Sequence, residues 1–347
     1  MMPHVKVAAV HAAPVFLDRT ATTAKAISII REAARGGAQL IAFPETFIPA
    51  FPVWSGLWAP TENHDLFSLM ANQSVSANGP EIAALRREAK ALGVCVSMGI
   101  SESSPASVGA LWNSFIMIGP DGGILNHHRK LVPTFYEKLT WAPGDGAGLK
   151  VVETPVGRVG QLICGENTNP LARYALIAQA EQIHISSWPA LWPTRPAGNG
   201  TNYNNVEANR IRSSAHSFEA KAFGMNTAGY MDSAMRKFLV DRDPKVADTL
   251  DRSSRAASFF VDPTGAPVGD FLQDDEGIAY AEFDLSRCVE PKQYHDVTGY
   301  YNRFDIFSLT VNRKRQHPIT FVDDVEASSQ NADDASFMED NFSHAKP

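Results

Sequence analysis

The sequence predicts an α/β fold in which helices pack on a mixed sheet. Apolar, strand-like segments alternate with segments whose apolar residues recur at helical spacing. Two pairs of short apolar segments also flank turns rich in glycine and proline, a pattern typical of antiparallel hairpins. Alternating helices and strands favour parallel pairing, and hairpins add antiparallel strands. We therefore expect one layered domain that contains both strand directions.

The N-terminal part of the chain supplies three predicted strands and two predicted helices. Apolar residues recur at helical spacing across residues 20–34, and Gly36-Gly37 ends that helix. Pro80 stands in the first turn of the helix predicted over residues 80–92. Residues 46–65 hold many aromatic residues and prolines and are predicted to form a loop. The strands are predicted over residues 5–10, 40–43 and 94–100.

Two hairpins and a second alternating series follow. The hairpins are predicted to pair residues 112–118 with 124–128, and residues 149–153 with 158–163. The next helices are predicted over residues 170–180 and 202–222. The remaining strands are predicted over residues 183–187, 223–228, 258–261, 267–271 and 278–283.

The composition is that of an ordinary globular protein and narrows the choice of partners. The net charge of -7 and the lack of a Lys/Arg cluster argue against nucleic acid or an anionic membrane as the main partner. No apolar run reaches the ~18 residues of a membrane helix, and the N-terminus is predicted to be a first strand rather than a signal peptide. Three cysteines do not make a disulfide framework, so we expect a reducing, cytoplasmic location.

Only the C-terminal end of the chain changes in character. Residues 323–347 carry seven carboxylates against one lysine, Lys346. Such a segment buries too little apolar surface to fold, and we predict a disordered acidic tail. Residues 1–322 are predicted to form a single domain.

Cys164 is the strongest candidate for a catalytic residue. A strand-like segment ends at this cysteine, Gly165 follows at once, and a helix is predicted from Pro170. A strand-to-helix turn of this kind lifts a nucleophile out of a sheet toward a substrate and the surface, as in serine hydrolases. Cys95 lacks that context and is predicted to pack in a buried strand, and Cys288 is predicted to be a loop thiol without a catalytic role.

Two other segments offer groups that such a thiol would need. Glu45 follows a predicted strand, and burial among its neighbours would raise its pKa and suit it to accept the thiol proton. Lys130 also follows a strand, where an ammonium can stabilise negative charge on a substrate. Glu137 could orient the lysine or assist proton transfer, and the backbone N–H of Gly165 is a second possible donor.

Metal and phosphate sites find little support in the sequence. His127 and His128 are adjacent on a predicted strand, so their side chains point to opposite faces. No carboxylate or cysteine stands at ligand spacing from them, and we predict no metal site there. The glycine-rich segment at residues 144–148 lacks the Lys-Ser/Thr pair of a phosphate-binding loop.

Taken together, the three motifs resemble the nitrilase superfamily of carbon–nitrogen hydrolases. Residues 43–47 (Phe-Pro-Glu-Thr-Phe) are similar to its glutamate motif, and residues 129–134 (Arg-Lys-Leu-Val-Pro-Thr) to its lysine motif. Residues 164–167 (Cys-Gly-Glu-Asn) are similar to its cysteine motif. The likeness keeps its order over about residues 5–315. The Thr-x-x-Glu-x-x-x-Trp pattern that ends at Trp141 is closer to nitrilases than to amidases.

This resemblance implies a fold, a mechanism and an assembly. The fold would be a four-layer αββα sandwich with mixed sheets. Glu45, Lys130 and Cys164 would form the catalytic triad, with Glu137 as a supporting acid and no cofactor. A nitrile would pass through a thioimidate and a thioester to a carboxylic acid and ammonia. The chain would form dimers that extend into larger spirals, partly through a C-terminal extension at about residues 285–322.

One residue departs from the family pattern and leaves the activity open. Nitrilases usually carry tryptophan or alanine directly after the cysteine, whereas this chain has Gly165. The missing side chain changes the pocket and bears on the ratio of acid to amide product. The alternatives within the superfamily are an amidase, a cyanide hydratase or a cyanide dihydratase. A non-catalytic scaffold and a thiol-dependent acyltransferase are alternatives from other classes.

Aromatic residues in loops after strand ends are candidates for the substrate pocket. Ligands bind at the carboxyl ends of strands in α/β folds, and aromatic side chains also dominate cores and interfaces. The aromatic set comprises Phe51, Trp54, Tyr136, Trp188 and Trp192. Together with Gly165, these residues favour an organic nitrile that carries an apolar group.

Overall fold

The computed structural model describes residues 3–196, 198–202 and 204–319 of the chain. Residues Met1–Lys314 form one compact unit, and a second unit begins at Arg315. The acidic segment 323–347 lies outside the described residues, so its predicted disorder stays a prediction.

Two six-stranded sheets form the centre of the first unit. The first sheet has the order β12-β1-β2-β3-β4-β5, and the second has the order β11-β10-β9-β8-β7-β6. The strands of the first sheet are β1 (His4–His11), β2 (Leu40–Ala42), β3 (Cys95–Ser103), β4 (Leu111–Ile118), β5 (Ile124–Arg129) and β12 (Gly277–Asp284). Those of the second are β6 (Val152–Thr154), β7 (Gly157–Ile163), β8 (Ile183–Trp188), β9 (Phe223–Ala228), β10 (Ser258–Val261) and β11 (Pro267–Leu272).

Both sheets are mixed, as the sequence predicts. Strands β1, β2 and β3 pair in parallel, and so do β7, β8 and β9. The hairpins and edge strands β4, β5, β6, β10, β11 and β12 pair antiparallel. Because β5 is two antiparallel steps from β3, the two strands run in the same direction. The carboxyl ends of β2, β3 and β5 therefore lie at one edge of the first sheet.

Helices cover the outer face of each sheet. The α-helices are α1 (Arg19–Arg35), α2 (His64–Gln73), α3 (Pro80–Leu92), α4 (Pro170–Ile177), α5 (Asn205–Ala220), α6 (Ser233–Arg242) and α7 (Ala247–Arg252). Ile30 of α1 and Leu85 of α3 pack on the first sheet, and Leu176 of α4 packs on Leu162 of the second. A third apolar cluster lies between the sheets and includes Val7 and Ile185. The predicted α/β class and its four-layer αββα arrangement are confirmed.

Some helices of the structure are not predicted by the sequence patterns. Helices α2, α6 and α7 were not predicted, because each buries only one or two apolar side chains, such as Met235 and Leu239 of α6. The loop predicted over residues 46–65 contains two short 3-10 helices, Val53–Gly56 and Pro60–Glu62, and ends where α2 begins at His64.

The boundaries of α5 are set by side-chain and backbone effects rather than by apolar spacing. Asn204 caps the helix by accepting hydrogen bonds from the N–H groups of Val206 and Glu207, and Lys221 ends it in a left-handed conformation. The helix is therefore shorter at both ends than the predicted span of residues 202–222.

Within the described residues, none of the helices combines the length and the apolar character that crossing a membrane requires.

Candidate active site

Three strand ends bring the predicted catalytic groups together. Glu45 follows β2, Lys130 follows β5, and Cys164 follows β7 of the opposite sheet. The Cys164 Sγ atom and one oxygen from each of Glu45 and Glu137 all lie within 4.8 Å of one another. Residues that are more than a hundred positions apart in sequence thus form one cluster.

Lys130 lies between the two carboxylates and is fully enclosed. Its Nζ donates to the Glu137 oxygens at 2.7 and 2.8 Å and lies 3.4 Å from Glu45 Oε2. Only 1% of the lysine is exposed. Burial alone would lower the pKa of Lys130, but the Glu137 and Glu45 carboxylates outweigh it and raise the pKa. The ammonium therefore keeps its charge throughout the neutral range.

Glu45 is held with an unusually high proton affinity. Burial raises its pKa most, the Lys130 ammonium opposes that effect, and the Glu137 carboxylate adds to it. The pKa of Glu45 is raised to about 7 as a result. Asn113 Nδ2 donates to Glu45 Oε2 at 2.8 Å and fixes the carboxylate toward the thiol. A base of this strength matches proton transfer near neutral pH.

The turn at Cys164 predicts a thiol that points toward the surface, and this prediction is wrong. The thiol lies inside the protein. It is 8% exposed and belongs to the apolar cluster between the sheets. Burial and the neighbouring Glu45 carboxylate raise the pKa of the thiol well above its usual range, and Lys130 opposes them. The resting cysteine is thus protonated, and it needs a base at the moment of attack.

Each of the three segments that carry the candidate catalytic residues contains a residue in the left-handed region of backbone space. Thr46 has φ +45°, Phe135 has φ +50° and Cys164 has φ +49°. This conformation is costly for residues other than glycine and clusters at functional sites. Gly99 of β3 makes room for the first segment, since a Cβ atom there would lie 2.8 Å from Glu45 Cα and 2.6 Å from the Thr46 nitrogen.

Glu166 and Asn167, which lie just after Cys164, are buried, and their hydrogen bonds stabilise the turn at the cysteine. Glu166 accepts hydrogen bonds from the backbone N–H groups of Leu131 and Ile163 and from His128 Nε2. Burial would raise the pKa of Glu166, but His128 and these donors outweigh it and lower the pKa. Asn167 Nδ2 donates to the carbonyls of Leu162 and Cys164.

A buried histidine pair supports Asn167. His184 Nε2 lies 2.8 Å from Asn167 Oδ1, and its Nδ1 lies 2.8 Å from Glu181. The second oxygen of Glu181 lies 2.7 Å from His216 Nε2. Sequence reasoning did not connect these residues, because each is a lone polar residue and only the fold brings them together.

Among the described residues, two groups of side chains have the composition of a metal site. One is Glu181, His184 and His216, and the other is Glu45, Glu137 and Cys164. In the first group the carboxylate already bonds both imidazoles. In the second the Lys130 ammonium bonds both carboxylates. The carboxylates of both sets thus already have protein partners, and sequence reasoning had indicated neither set.

Four of the five predicted pocket aromatics lie in one cluster. The rings of Tyr136 and Trp192 stack at 4.3 Å, and Phe51 packs edge-on or tilted against both. Trp54 belongs to the same cluster. Phe51 also lines a small cavity together with Glu45. Through Phe51, this aromatic cluster reaches the cavity beside the Glu45 carboxylate.

The fifth predicted aromatic, Trp188, and the predicted pocket residue Gly165 lie outside this cluster. Trp188 packs in the cluster that includes Cys164, and its Nε1 donates to Asn226. Gly165 lines a separate cleft of about 280 Å³ together with Thr134 and Phe135. A Cβ atom on Gly165 would lie 2.7 Å from Thr134 Oγ1, so a larger residue would need this threonine to move.

Comparison with known proteins agrees with this arrangement. The sequence model of the family described as carbon-nitrogen hydrolase matches residues 6–293. The chain belongs to the carbon–nitrogen hydrolase family. A nitrilase of Paraburkholderia phymatum is 33% identical over 91% of this chain and 88% of its own length. A nitrilase of Penicillium rubens is 34% identical over 93% of this chain and 97% of its own length.

Solved structures of the carbon–nitrogen hydrolase family share the fold. The NitFhit protein of C. elegans has a TM-score of 0.67 at 19% identity, covering 91% of this chain and 69% of that protein. The resemblance drawn from the three motifs is therefore confirmed at the level of family and fold.

Proposed function

We propose that this carbon–nitrogen hydrolase is a nitrilase that converts an organic nitrile into a carboxylic acid and ammonia. The observation that carries the proposal is the buried cluster of Cys164, Glu45 and Lys130 in a chain related to nitrilases over nine-tenths of its length. The cluster supplies a nucleophile, a base within 4.8 Å of it, and a fixed cation 3.4 Å from that base. Those three functions are what addition to a carbon–nitrogen triple bond requires.

In the first half of the reaction the thiol adds to the nitrile carbon. Glu45, with its raised pKa, accepts the proton from the Cys164 thiol as the sulfur–carbon bond forms. The nitrile nitrogen gains negative charge, which the Lys130 ammonium stabilises, and takes up the proton. The product is a covalent thioimidate.

In the second half two water molecules are consumed. The first adds to the thioimidate carbon and the carbon–nitrogen bond breaks. Ammonia departs, and a thioester remains on Cys164. The second breaks the sulfur–carbon bond, releases the carboxylic acid and returns the thiol. Glu45 and Glu137 are the carboxylates within reach of the sulfur, and we assign them the proton transfers of these steps.

The substrate is proposed to carry an apolar, aromatic or bulky aliphatic group. Phe51, Tyr136 and Trp192 form an aromatic cluster, and Phe51 lines a small cavity together with Glu45. Aromatic side chains bury large apolar areas and give specific ring contacts. A second cleft lies beside Gly165, the residue that follows Cys164.

Product analysis tests this proposal directly. Purified protein would be incubated with aliphatic, aromatic and arylaceto-nitriles, with the matching amides and with cyanide, and ammonia, acid and amide would be quantified. We expect ammonia and acid in equal amounts from nitriles. Turnover of amides alone would indicate an amidase, and turnover of cyanide alone would indicate a cyanide hydratase or dihydratase. A panel with no turnover would contradict a hydrolytic function and favour the scaffold or acyltransferase alternatives.

The raised pKa of Glu45 predicts an acid limb in the activity profile. Glu45 accepts a proton only as a carboxylate, so the active fraction falls as the pH drops through about 7. Below that value kcat/KM should decrease about tenfold per pH unit, because one essential proton is bound by the free enzyme. The profile would be measured from pH 5 to 9 with the best nitrile of the panel. Activity that stays constant from pH 9 down to pH 5 would contradict the raised pKa of Glu45.

Assembly and location are proposed from surface features. Tyr300, Phe304 and Phe307 expose 77%, 72% and 72% of their surface, and contiguous exposed apolar residues mark interaction sites. We propose that the stretch containing them forms part of an interface between copies of the chain, as a dimer or a larger spiral. Light scattering would measure the mass, and a monomer at working concentration would contradict this.

Cys95, Cys164 and Cys288 are free thiols, which supports a cytoplasmic location.

A further inference from the structure

Glu166 connects the two sheets at the catalytic edge. Its Oε1 accepts the backbone N–H of Leu131 at 2.6 Å, and its Oε2 accepts that of Ile163 at 2.8 Å. Leu131 follows the end of β5 in the first sheet, whereas Ile163 is the last residue of β7 in the second. One carboxylate thus bonds backbone from both sides of the active site.

The two bonded residues are the immediate neighbours of the catalytic groups. Leu131 directly follows Lys130, and Ile163 directly precedes Cys164. His128, on the same strand end as Lys130, lies 3.0 Å from both carboxylate oxygens and holds their orientation. The side chains of His128 and Glu166 are 0% and 3% exposed, so water does not compete for these bonds.

We propose that Glu166 is a positioning residue that sets the separation between the Lys130 ammonium and the Cys164 thiol. It is not placed to touch the reacting atoms, because both of its oxygens are occupied by backbone and His128. The roles of Lys130 and Cys164 come from the proposed function, on which this inference rests. A charged acceptor is suited to the task, since charge-assisted hydrogen bonds are shorter and stronger than neutral ones.

Glu166→Gln is the informative substitution because it keeps the shape of the side chain. The amide presents one oxygen and one NH₂ group, so it can accept from either Leu131 or Ile163 but not from both. One strand end is then released. Displacement of a catalytic group by about 1 Å can cost on the order of 100-fold in rate. We expect kcat to fall by about that factor while KM changes less than about threefold.

Alkylation of Cys164 gives a second readout that does not depend on nitrile turnover. Acrylamide would be added to the folded enzyme and its adduct on the Cys164 peptide followed by mass spectrometry. The Glu166→Gln enzyme should react at least about tenfold more slowly, because Lys130 and Glu45 are no longer aligned on the thiol. If wild-type protein alkylates rapidly at Cys164 but hydrolyses no nitrile, the proposed function fails while the positioning role is still tested.

Asp262→Asn is the matched control for a general loss of stability. Asp262 is also a buried carboxylate that accepts backbone N–H groups, those of Thr264 and Ala266, and it pairs with Arg287. It follows β10 at the opposite edge of the second sheet. This variant should lose stability while kcat and the alkylation rate stay within about twofold of wild type.

Two results would overturn the inference. One is a folded Glu166→Gln enzyme with kcat and alkylation rate within threefold of wild type. The other is a rate loss that Asp262→Asn reproduces at matched stability. Should Glu166→Gln fail to fold, Glu166→Asp is measured in the same way, because its shorter carboxylate keeps the charge for His128 but cannot span Leu131 and Ile163.

Discussion

Cys164→Ala is expected to abolish nitrile hydrolysis and leave the protein folded. Without Sγ no covalent bond to the nitrile carbon can form, and loss of a nucleophile that acts together with its base costs about 10⁵-fold or more. The Cβ atom and the surrounding apolar cluster remain. The free energy of unfolding should therefore change by about 1 kcal/mol or less. Ammonia release would be measured together with urea denaturation.

Cys95→Ala is the control for this prediction. Cys95 is a free thiol, it is 1% exposed, and it lies in β3 away from the catalytic turn. This variant should keep its activity and lose stability through the small cavity it creates. Residual ammonia release by a clean Cys164→Ala preparation would refute nucleophilic catalysis by this cysteine. Unfolding of that variant would show that the thiol also serves the core.

The sequence was sufficient to predict the candidate catalytic cluster because its members follow strand ends. Lys130 and Cys164 come directly after β5 and β7, Glu45 lies three residues after β2, and ligands bind at the carboxyl ends of strands in α/β folds. Hairpin turns around Gly122 and Gly157 likewise identified the antiparallel edges. Local patterns of this kind depend on neighbours in sequence, and they carry over to the fold.

The parts that were not predicted depend on contacts between distant segments. Asn113, which holds Glu45, is separated from it by 68 positions, and His216 is 35 positions from Glu181. A lone polar residue in an apolar strand does not reveal its partner. The burial of Cys164 was also missed, because the turn predicts where the thiol lies but not what covers it. The opposite sheet and the Glu45 segment provide that cover.

The largest combined effect on activity and stability is expected for Lys130→Ala. The substitution removes the ammonium that bonds both Glu45 and Glu137, whose side chains are 0% exposed. Breaking a buried ion pair by removing one partner costs about 3–5 kcal/mol, because a charge is left uncompensated. Activity should fall by about 10³-fold or more, since a preorganised cation at the developing charge is among the largest catalytic terms. Urea denaturation and ammonia release would measure the two effects.

The stability of the Lys130→Ala variant is expected to depend on pH in a defined direction. Lys130 lowers the pKa of Glu45, so its removal raises that pKa above the wild-type value of about 7, whereas the unfolded chain keeps the ordinary value near 4.5. The folded variant therefore binds more protons than the unfolded chain between these limits, and its stability falls as the pH rises through that window. The deficit relative to wild type should be larger at pH 8 than at pH 5. Equal deficits at both values would show that the buried carboxylates do not carry the cost.

A second substitution separates the structural effect of Lys130 from its catalytic effect. Glu137→Gln in the Lys130→Ala background removes one of the two uncompensated carboxylates and should recover part of the lost stability. It cannot restore activity, because no cation then faces the nitrile nitrogen. Lys25→Ala, which breaks an exposed ion pair with Glu276, should change neither property by a measurable amount. Recovery of turnover in the double variant would mean that Lys130 only neutralises Glu137 and takes no part in the chemistry.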